Sequence, residues 1–335
     1  MQSPVHIAIL GATGAVGIEV LKTLEKRNFP VGQLILLASE RSVGKKLKFR
    51  GKDYAVQQAT PHSFKGVNIA FFSAGAGLSH ELVPYAVQAG AIVVDKSSAF
   101  RMDPTVPLVV TEVNPLDIKN HKGIIANPNC STMVMAVVLW PLHQRARIQR
   151  IMVSTYQAAS GAGAKARDEL EFQVRDILSG KPAKKEVFQY QIAFNVFSHD
   201  TEIAENGYNE EENKMVEETR KIFHEPNLAI CPTCIRVPVF RAHSESILIE
   251  TERKLSVEEA RAILSKAPGV KVIDNQSANH FPMPIEASGQ DDVLVGRLRE
   301  DPSSPNGLAM FISGDQLLKG AALNAVQIAE ILLKT

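Results

Sequence analysis

The opening of the chain constrains its fold more than any other stretch. Val5-His6-Ile7-Ala8-Ile9-Leu10 is an apolar run of strand length, and Gly11-Ala12-Thr13-Gly14-Ala15-Val16-Gly17 follows at once. A helical spacing of Val20, Leu21 and Leu24 then runs to about Arg27. Strand, glycine turn and helix start stand in the order a dinucleotide-binding Rossmann unit requires. Gly11 permits the tight turn, Gly14 lets backbone approach a pyrophosphate, and Gly17 lets the helix pack on the strand. The pyrophosphate would rest on the helix N-terminus, where N–H groups and the dipole favour an anion. A plain strand-to-helix turn without a ligand is the bland alternative.

Alternation of strands and helices continues. Residues 33–38 read as a second strand, and it runs into Ser39-Glu40-Arg41-Ser42. An acid at the end of this strand would hold ribose hydroxyls, but Glu40 lies past the strand end. Arg41 and Ser42 instead offer a cation and a hydroxyl to a 2′-phosphate, which favours NADP. Residues 68–72, 91–94 and 123–126 read as further strands, with a helix over 78–89. Ligands bind beyond the carboxyl ends of such strands.

The last of these strands delivers the chain to Asn127-Pro128-Asn129-Cys130-Ser131-Thr132. Pro128 disfavours helix at the residue before it, and Ser131 and Thr132 suit a helix opening. Cys130 is therefore expected at or just before the N-terminus of an apolar helix over 133–144. Helix N–H groups and the dipole stabilise a thiolate there, and a thiolate can attack a carbonyl and hold an acyl group. The bland reading of such a cysteine is a small buried hydrophobe.

Beyond the helix the pattern changes. A strand over 151–156 leads into Gln157-Ala158-Ala159-Ser160-Gly161-Ala162-Gly163, and a helix spans 166–178. Residues 182–208 are irregular, Glu210–Phe223 is a charged helix, and strands are expected over 244–253, 293–298 and 308–313. These predict an α+β domain on a mixed or antiparallel sheet. The fold class is thus α/β plus α+β. An N-terminal Rossmann domain (1–129), completed by a C-terminal helix (317–335), carries a mixed-sheet domain for substrate (130–316).

His243 is one of nine histidines, and its company singles it out. Arg236 and Arg241 flank it at the mouth of a strand, and a cysteine thiolate with a histidine acid/base is a recurrent pair. The arginines suit a carboxylate or phosphate held by two hydrogen bonds. Arg101 and Lys214 are further cationic candidates, although the Lys214 helix could be only a solvated face. Cys231-Pro232-Thr233-Cys234 has redox or metal half-site spacing, but no second cysteine pair completes it. No metal is expected.

The chain has 335 residues, 45% hydrophobic and 22% charged, with a net charge of +1. That balance exerts no bulk pull toward nucleic acid or membrane. No apolar run reaches the roughly 20 residues of a membrane span. Three cysteines and a start, Met1-Gln2-Ser3-Pro4, unlike a signal peptide point to a cytoplasmic protein.

Taken together, these motifs resemble the aspartate-β-semialdehyde dehydrogenase family. The matching stretches are Gly11 to Gly17, Ser97-Ser98-Ala99-Phe100-Arg101, Asn127 to Thr132, Gln157 to Gly163, Glu211 with Lys214, and Arg236 with Ala242-His243-Ser244. The resemblance implies Cys130 as nucleophile of a thioester, His243 as acid/base and Gln157 as an orienting group. It implies that Arg236 grips the substrate carboxylate and Glu211 its amino group. Arg101, Asn129 and Lys214 would bind phosphate. Gly11, Thr13, Gly14, Ala15, Val16, Arg41, Ser42, Ser160, Gly161 and Asn324 would contact NADP. The implied reaction reduces aspartyl phosphate to aspartate semialdehyde and phosphate, for lysine, threonine and methionine synthesis, in a homodimer (tetramers in some members). The compact interval between the Gln157 loop and the charged helix is expected to alter cofactor contacts in detail. Two alternatives stay open: another acyl-phosphate reductase, such as an N-acetyl-γ-glutamyl-phosphate reductase, and a catalytically silent NADP-binding homologue.

Overall fold

The expected opening strand is β1 (Val5–Leu10) in a computed structural model that describes residues 4–334. The expectations about Met1-Gln2-Ser3 and Thr335 lie outside the described residues. Continuous apolar runs such as β1, Ile69–Phe72 and Ile92–Asp95 suit a parallel sheet covered on both faces.

The first unit follows β1 with α1 (Ala15–Lys26), β2 (Val31–Ala38), β3 (Lys46–Phe49), β4 (Lys52–Gln58), β5 (Ile69–Phe72), α2 (Ala76–Gln88), β6 (Ile92–Asp95) and β7 (Ile124–Ala126). Its sheet has the order β3-β4-β2-β1-β5-β6-β7. Apart from the antiparallel β3, every neighbour is parallel. Without β3 this is the doubly wound Rossmann order, which reverses between β1 and β5. The sequence reading missed β3 and β4. They are short, lysine-bearing and largely exposed, so only a weak apolar signal marks them, Leu47 and Phe49 in β3 and Tyr54 and Val56 in β4. Arg50 and Gly51, both at positive φ, turn the chain between them.

The second unit begins at Cys130 and ends at Gly320. It holds α3 (Cys130–Ala146), β8 (Ile148–Gln157), α4 (Ala164–Leu178), β9 (Phe197–Ser198), α5 (Glu210–Phe223), β10 (Ala229–Arg236), β11 (His243–Thr251), α6 (Val257–Leu264), β12 (Val270–Val272), α7 (Pro284–Ala287), β13 (Val293–Glu300) and β14 (Gly307–Gly314). The sheet is mixed, in the order β12-β13-β14-β11-β8-β10-β9. Buried and half-exposed residues alternate along β8 and β11, so one face is packed by helices. α3 is apolar on every side and buried along its length, as an all-round hydrophobic helix must be.

A last helix, α8 (Leu323–Leu332), belongs to the first unit, where it joins the core with Val20, Leu24 and Val109. Arg27 makes two hydrogen bonds to Glu330, at 2.6 and 2.7 Å. The chain enters that unit at Ala321, not at the expected Leu317. Buried Asp315 explains the delay. Its carboxylate accepts N–H bonds from Leu317, Leu318 and Gly289 and pairs with Arg241 at 2.7 Å, which ties the preceding turn to the second unit.

Candidate active site

The nucleotide-binding features of the first unit follow from its glycines. Gly11 has φ +79°, and a Cβ there would lie 2.5 Å from the Ser73 carbonyl oxygen at the end of β5. A Cβ on Gly17 would lie 2.3 Å from the Gly11 oxygen, so α1 can approach β1 only with glycine here. Gly14 precedes Ala15 and Val16, which open α1, and the first turn carries no acidic side chain. The N-terminus therefore remains suited to an anion. Thr13 Oγ1 donates to buried Ser42 Oγ at 3.3 Å, which joins the glycine turn to the turn bearing exposed Arg41. These groups fit a nicotinamide dinucleotide.

Three other expected residues of this unit are buried. Arg101 donates from Nε to the Asn127 carbonyl (3.0 Å) and from Nη2 to the Lys96 carbonyl (2.7 Å). Asn129 is buried beside them in sequence. Asn324 on α8 donates to the Val109 carbonyl (2.8 Å) and to Asn127 Oδ1 (2.7 Å), and accepts from the Thr111 N–H (3.1 Å). Its amide is committed to holding loops of its own unit.

In the second unit the strands bring distant residues to one sheet end. Gln157 ends β8, and Arg236 ends β10 in register with it. His243 begins β11, whose Ser244 pairs with Tyr156. Buried Gln157 donates from Nε2 to Ser131 Oγ (2.9 Å) and Glu211 Oε1 (3.3 Å), and its Oε1 accepts from Arg236 Nη1 at 3.4 Å. Glu211 lies in the first turn of α5. There an Asn209–Glu212 capping box fixes the helix start, with two 2.9 Å bonds. Lys214 sits one turn on, 2.7 Å from Glu210 and 4.0 Å from Glu211. The charged helix is thus not a plain solvated face, since Glu211, Glu212 and Glu218 are buried.

His243 is fully buried, and its Nδ1 accepts the Ala158 N–H at 3.0 Å. Burial first, and the Arg236 charge second, push its pKa down to about 3. The ring is therefore neutral with its proton on Nε2, a donor to whatever faces it. Nε2 is buried and has no hydrogen-bond partner among the described residues. A Cβ at Gly161 would lie 2.9 Å from His243 Cε1 and 3.1 Å from Arg236 Nη1, so only glycine leaves the space before both groups. Ser160 beside it accepts from Gln316 Nε2. Ala242, at φ +71°, is a strained non-glycine residue that sets the entry of His243.

Cys130 is the first residue of α3 and half-buried. A Cβ at Gly320 would lie 3.0 Å from Cys130 Cβ, so a bare glycine lets the turn after β14 pack on the cysteine. Cys231 and Cys234 lie on β10, one exposed and one buried. Three residues apart on a strand, they face opposite sides, too far for a disulfide. Among the described residues no His, Cys, Asp or Glu group could hold a metal, and no helix is long and apolar enough to cross a membrane.

Ser131, His199, Asp200 and Thr201 escaped the sequence reading. Ser131 adjoins Cys130 in a motif already noted, which was the available clue. The other three lie in the irregular stretch, where nothing marks them. Burial pushes the His199 pKa down to about 4, with Arg236 adding to the effect, and His199 Nδ1 lies 3.2 Å from Thr201 Oγ1.

A doubly wound nucleotide-binding unit, joined in one chain to a mixed-sheet unit that gathers glutamine, arginine and histidine, defines a dinucleotide-dependent oxidoreductase. The family model described as semialdehyde dehydrogenase, NAD binding domain, matches residues 6–121, and that described as semialdehyde dehydrogenase, dimerisation domain, matches 139–319. An aspartate-semialdehyde dehydrogenase of Synechocystis is 54% identical over 334 residues, covering 100% of this chain and 99% of its own. One of Aquifex aeolicus is 55% identical over 333 residues, covering 98% of both. The crystal structure of aspartate semialdehyde dehydrogenase II complexed with ASA, from Vibrio cholerae, has a TM-score of 0.97 at 45% identity and covers 99% of both chains. The chain belongs to the aspartate-semialdehyde dehydrogenase family.

Proposed function

We propose that this chain reduces L-aspartyl-4-phosphate to L-aspartate-4-semialdehyde and phosphate with NADPH, in lysine, threonine and methionine biosynthesis. The observation that carries the reading is the Gln157–Arg236–Glu211–His243 cluster, in a unit whose first helix opens on Cys130. An arginine and a buried carboxylate close together suit the carboxylate and ammonium of a free amino acid. An N-acetylated substrate has no ammonium for Glu211.

Cys130 attacks the acyl carbon, and backbone N–H groups at the start of α3 are the nearest donors for the developing oxyanion. The C–O bond to phosphate breaks and leaves a thioester on Cys130. Arg101 and Asn129 of the first unit, and Lys214 of the second, are the proposed phosphate ligands. The dinucleotide, when bound, supplies the hydride that takes the thioester to the aldehyde level. His243 presents its Nε2 N–H as a hydrogen-bond donor to the sulfur, which departs as the thiolate, and Gln157 orients the reacting group. Arg41 and Ser42 hold the 2′-phosphate, and Thr13, Gly14, Ala15 and Val16 the pyrophosphate.

We also read the chain as a cytoplasmic homodimer. The sheet face of the second unit opposite α3 carries Met152, Tyr156, Leu248 and Phe311, and the Tyr156 and Phe311 rings lie 6.1 Å apart. A row of this kind suits a second copy.

The test is phosphate-dependent reduction of NADP with each semialdehyde. Activity with aspartate semialdehyde alone is expected, and activity confined to the N-acetylated glutamate semialdehyde would overturn the reading. Arg41→Ala is expected to lower kcat/KM for NADPH about tenfold, with NADH little changed, since a charge-assisted contact to phosphate is worth about 1.5–3 kcal/mol. Equal loss with both cofactors would remove Arg41 from the 2′-phosphate site.

A further inference from the structure

We infer that Asp200 is a positioning residue for Arg236 and thereby a determinant of affinity for the substrate carboxylate. The inference rests on the reading of Arg236 given above.

Asp200 lies in a stretch without regular structure, yet the chain on either side of it is tied to regular elements. β9 pairs antiparallel with β10, Phe197 opposite Arg236 and Ser198 opposite Ile235. The His199 N–H then bonds the Cys234 carbonyl at 2.8 Å. Thr201 Oγ1 accepts the Glu211 N–H at 3.3 Å. The segment is thus tied both to the strand that carries Arg236 and to the helix that carries Glu211. Between these ties, Asp200 Oδ1 stands 3.6 Å from Arg236 Nε.

Arg236 is constrained on three sides. Asp200 meets the Nε edge, Gln157 Oε1 meets Nη1 at 3.4 Å, and the Phe188 ring lies under the guanidinium carbon, 5.7 Å to its centroid. The side chains of Arg236 and Asp200 are only 6% and 17% exposed, so water screens their attraction less than at a surface. Two-point recognition of a carboxylate demands that the guanidinium plane be set beforehand. The Asp200 charge faces Nε as an ion pair without a hydrogen bond, draws that edge of the guanidinium to one side and leaves Nη2 to the ligand. Asp200 is inferred to meet neither substrate nor reacting atoms. It acts through Arg236.

Asp200→Asn keeps the shape and removes the charge, and Asp200→Glu restores the charge on a longer stem. Steady-state kinetics of the full-length enzyme would use aspartate semialdehyde, phosphate and NADP, each varied in turn. Asp200→Asn is expected to raise KM for the semialdehyde about tenfold, with kcat changed less than about twofold. KM for phosphate and for NADP should not move, and Asp200→Glu should recover much of the loss. An unchanged semialdehyde KM, or equal rises in all three KM values, would overturn the inference. Arg236→Lys serves as the reference. If it raises the semialdehyde KM and Asp200→Asn does not, Asp200 alone is misassigned. If Arg236→Lys leaves that KM unchanged, the reading of Arg236 fails, and the role of Asp200 falls with it.

Discussion

Cys130→Ala is expected to lower turnover by about 10⁴-fold or more, because without the thiol no acyl-enzyme forms. NADPH binding, followed by the change in its fluorescence on titration, should be unaltered, since the glycine turn lies in the other unit. Stability should fall only slightly, because Cys130 is half-buried and alanine is a good residue for the first turn of a helix. A variant that retains substantial turnover would remove Cys130 from the nucleophile's role. Loss of both activity and NADPH binding would point instead to a collapsed fold.

His243→Asn is expected to cost about 10²–10³ in kcat, the usual contribution of a positioned hydrogen-bond donor to developing charge. The same substitution has a second readout, in stability. The folded-state pKa is about 3 against 6.5 for the free side chain. Between those values the unfolded chain binds more protons than the folded one. Stability contributed by the neutral imidazole is therefore full above pH 6.5 and is lost as pH falls toward 3. The asparagine variant lacks this term, so its thermal midpoint should depend less on pH in that window. His199, with a value near 4, adds a smaller term of the same sign in both proteins. An unchanged kcat would dismiss His243 as a donor to the reacting atoms, and an unchanged pH dependence would mean that the ring is not neutral in the fold.

Much of the fold was legible because its elements repeat simple patterns. β1, β5 and β6 are short apolar runs between turns, and α1 carries its apolar residues at helical spacing. β3 and β4 were not legible, because they are short and largely exposed, and only Phe49 and Val56 in them are buried. α6 was missed too, as a short helix of only eight residues with mixed composition. The apolar helix was expected over 133–144 but begins at Cys130 itself. Pro128 and Asn129 lie just outside it, so the turn ends where the helix starts.

The candidate residues were legible as types in motifs rather than as a site. Gln157 lies at a strand end before a loop of small residues, and His243 lies at the mouth of a strand beside Arg236 and Arg241, and that much is visible in the chain. Their meeting depends on β8, β10 and β11 lying side by side with ends in register. Register is set by which face of each strand must be buried, and burial is a property of the packed sheet. For the same reason Asp200 could not be singled out. Its distance from Arg236 follows from the pairing of the two-residue β9, which has no sequence signature.

The sequence by itself determined the nucleotide-binding turn. Gly17 is required by its approach to the Gly11 oxygen and Gly11 by its positive φ, and local chemistry of that kind can be read locally, whereas the approach of Gly11 to Ser73 comes from the packed sheet. It also placed Cys130 at or just before a helix N-terminus, through a proline before it and an apolar run after. Only the tertiary structure decided that His243 is neutral and accepts at Nδ1. Desolvation and the Arg236 charge set its protonation, and both arise from residues remote in sequence. Only the tertiary structure, too, gave Gly161 its place before His243 and Arg236, where the absence of a side chain leaves the space.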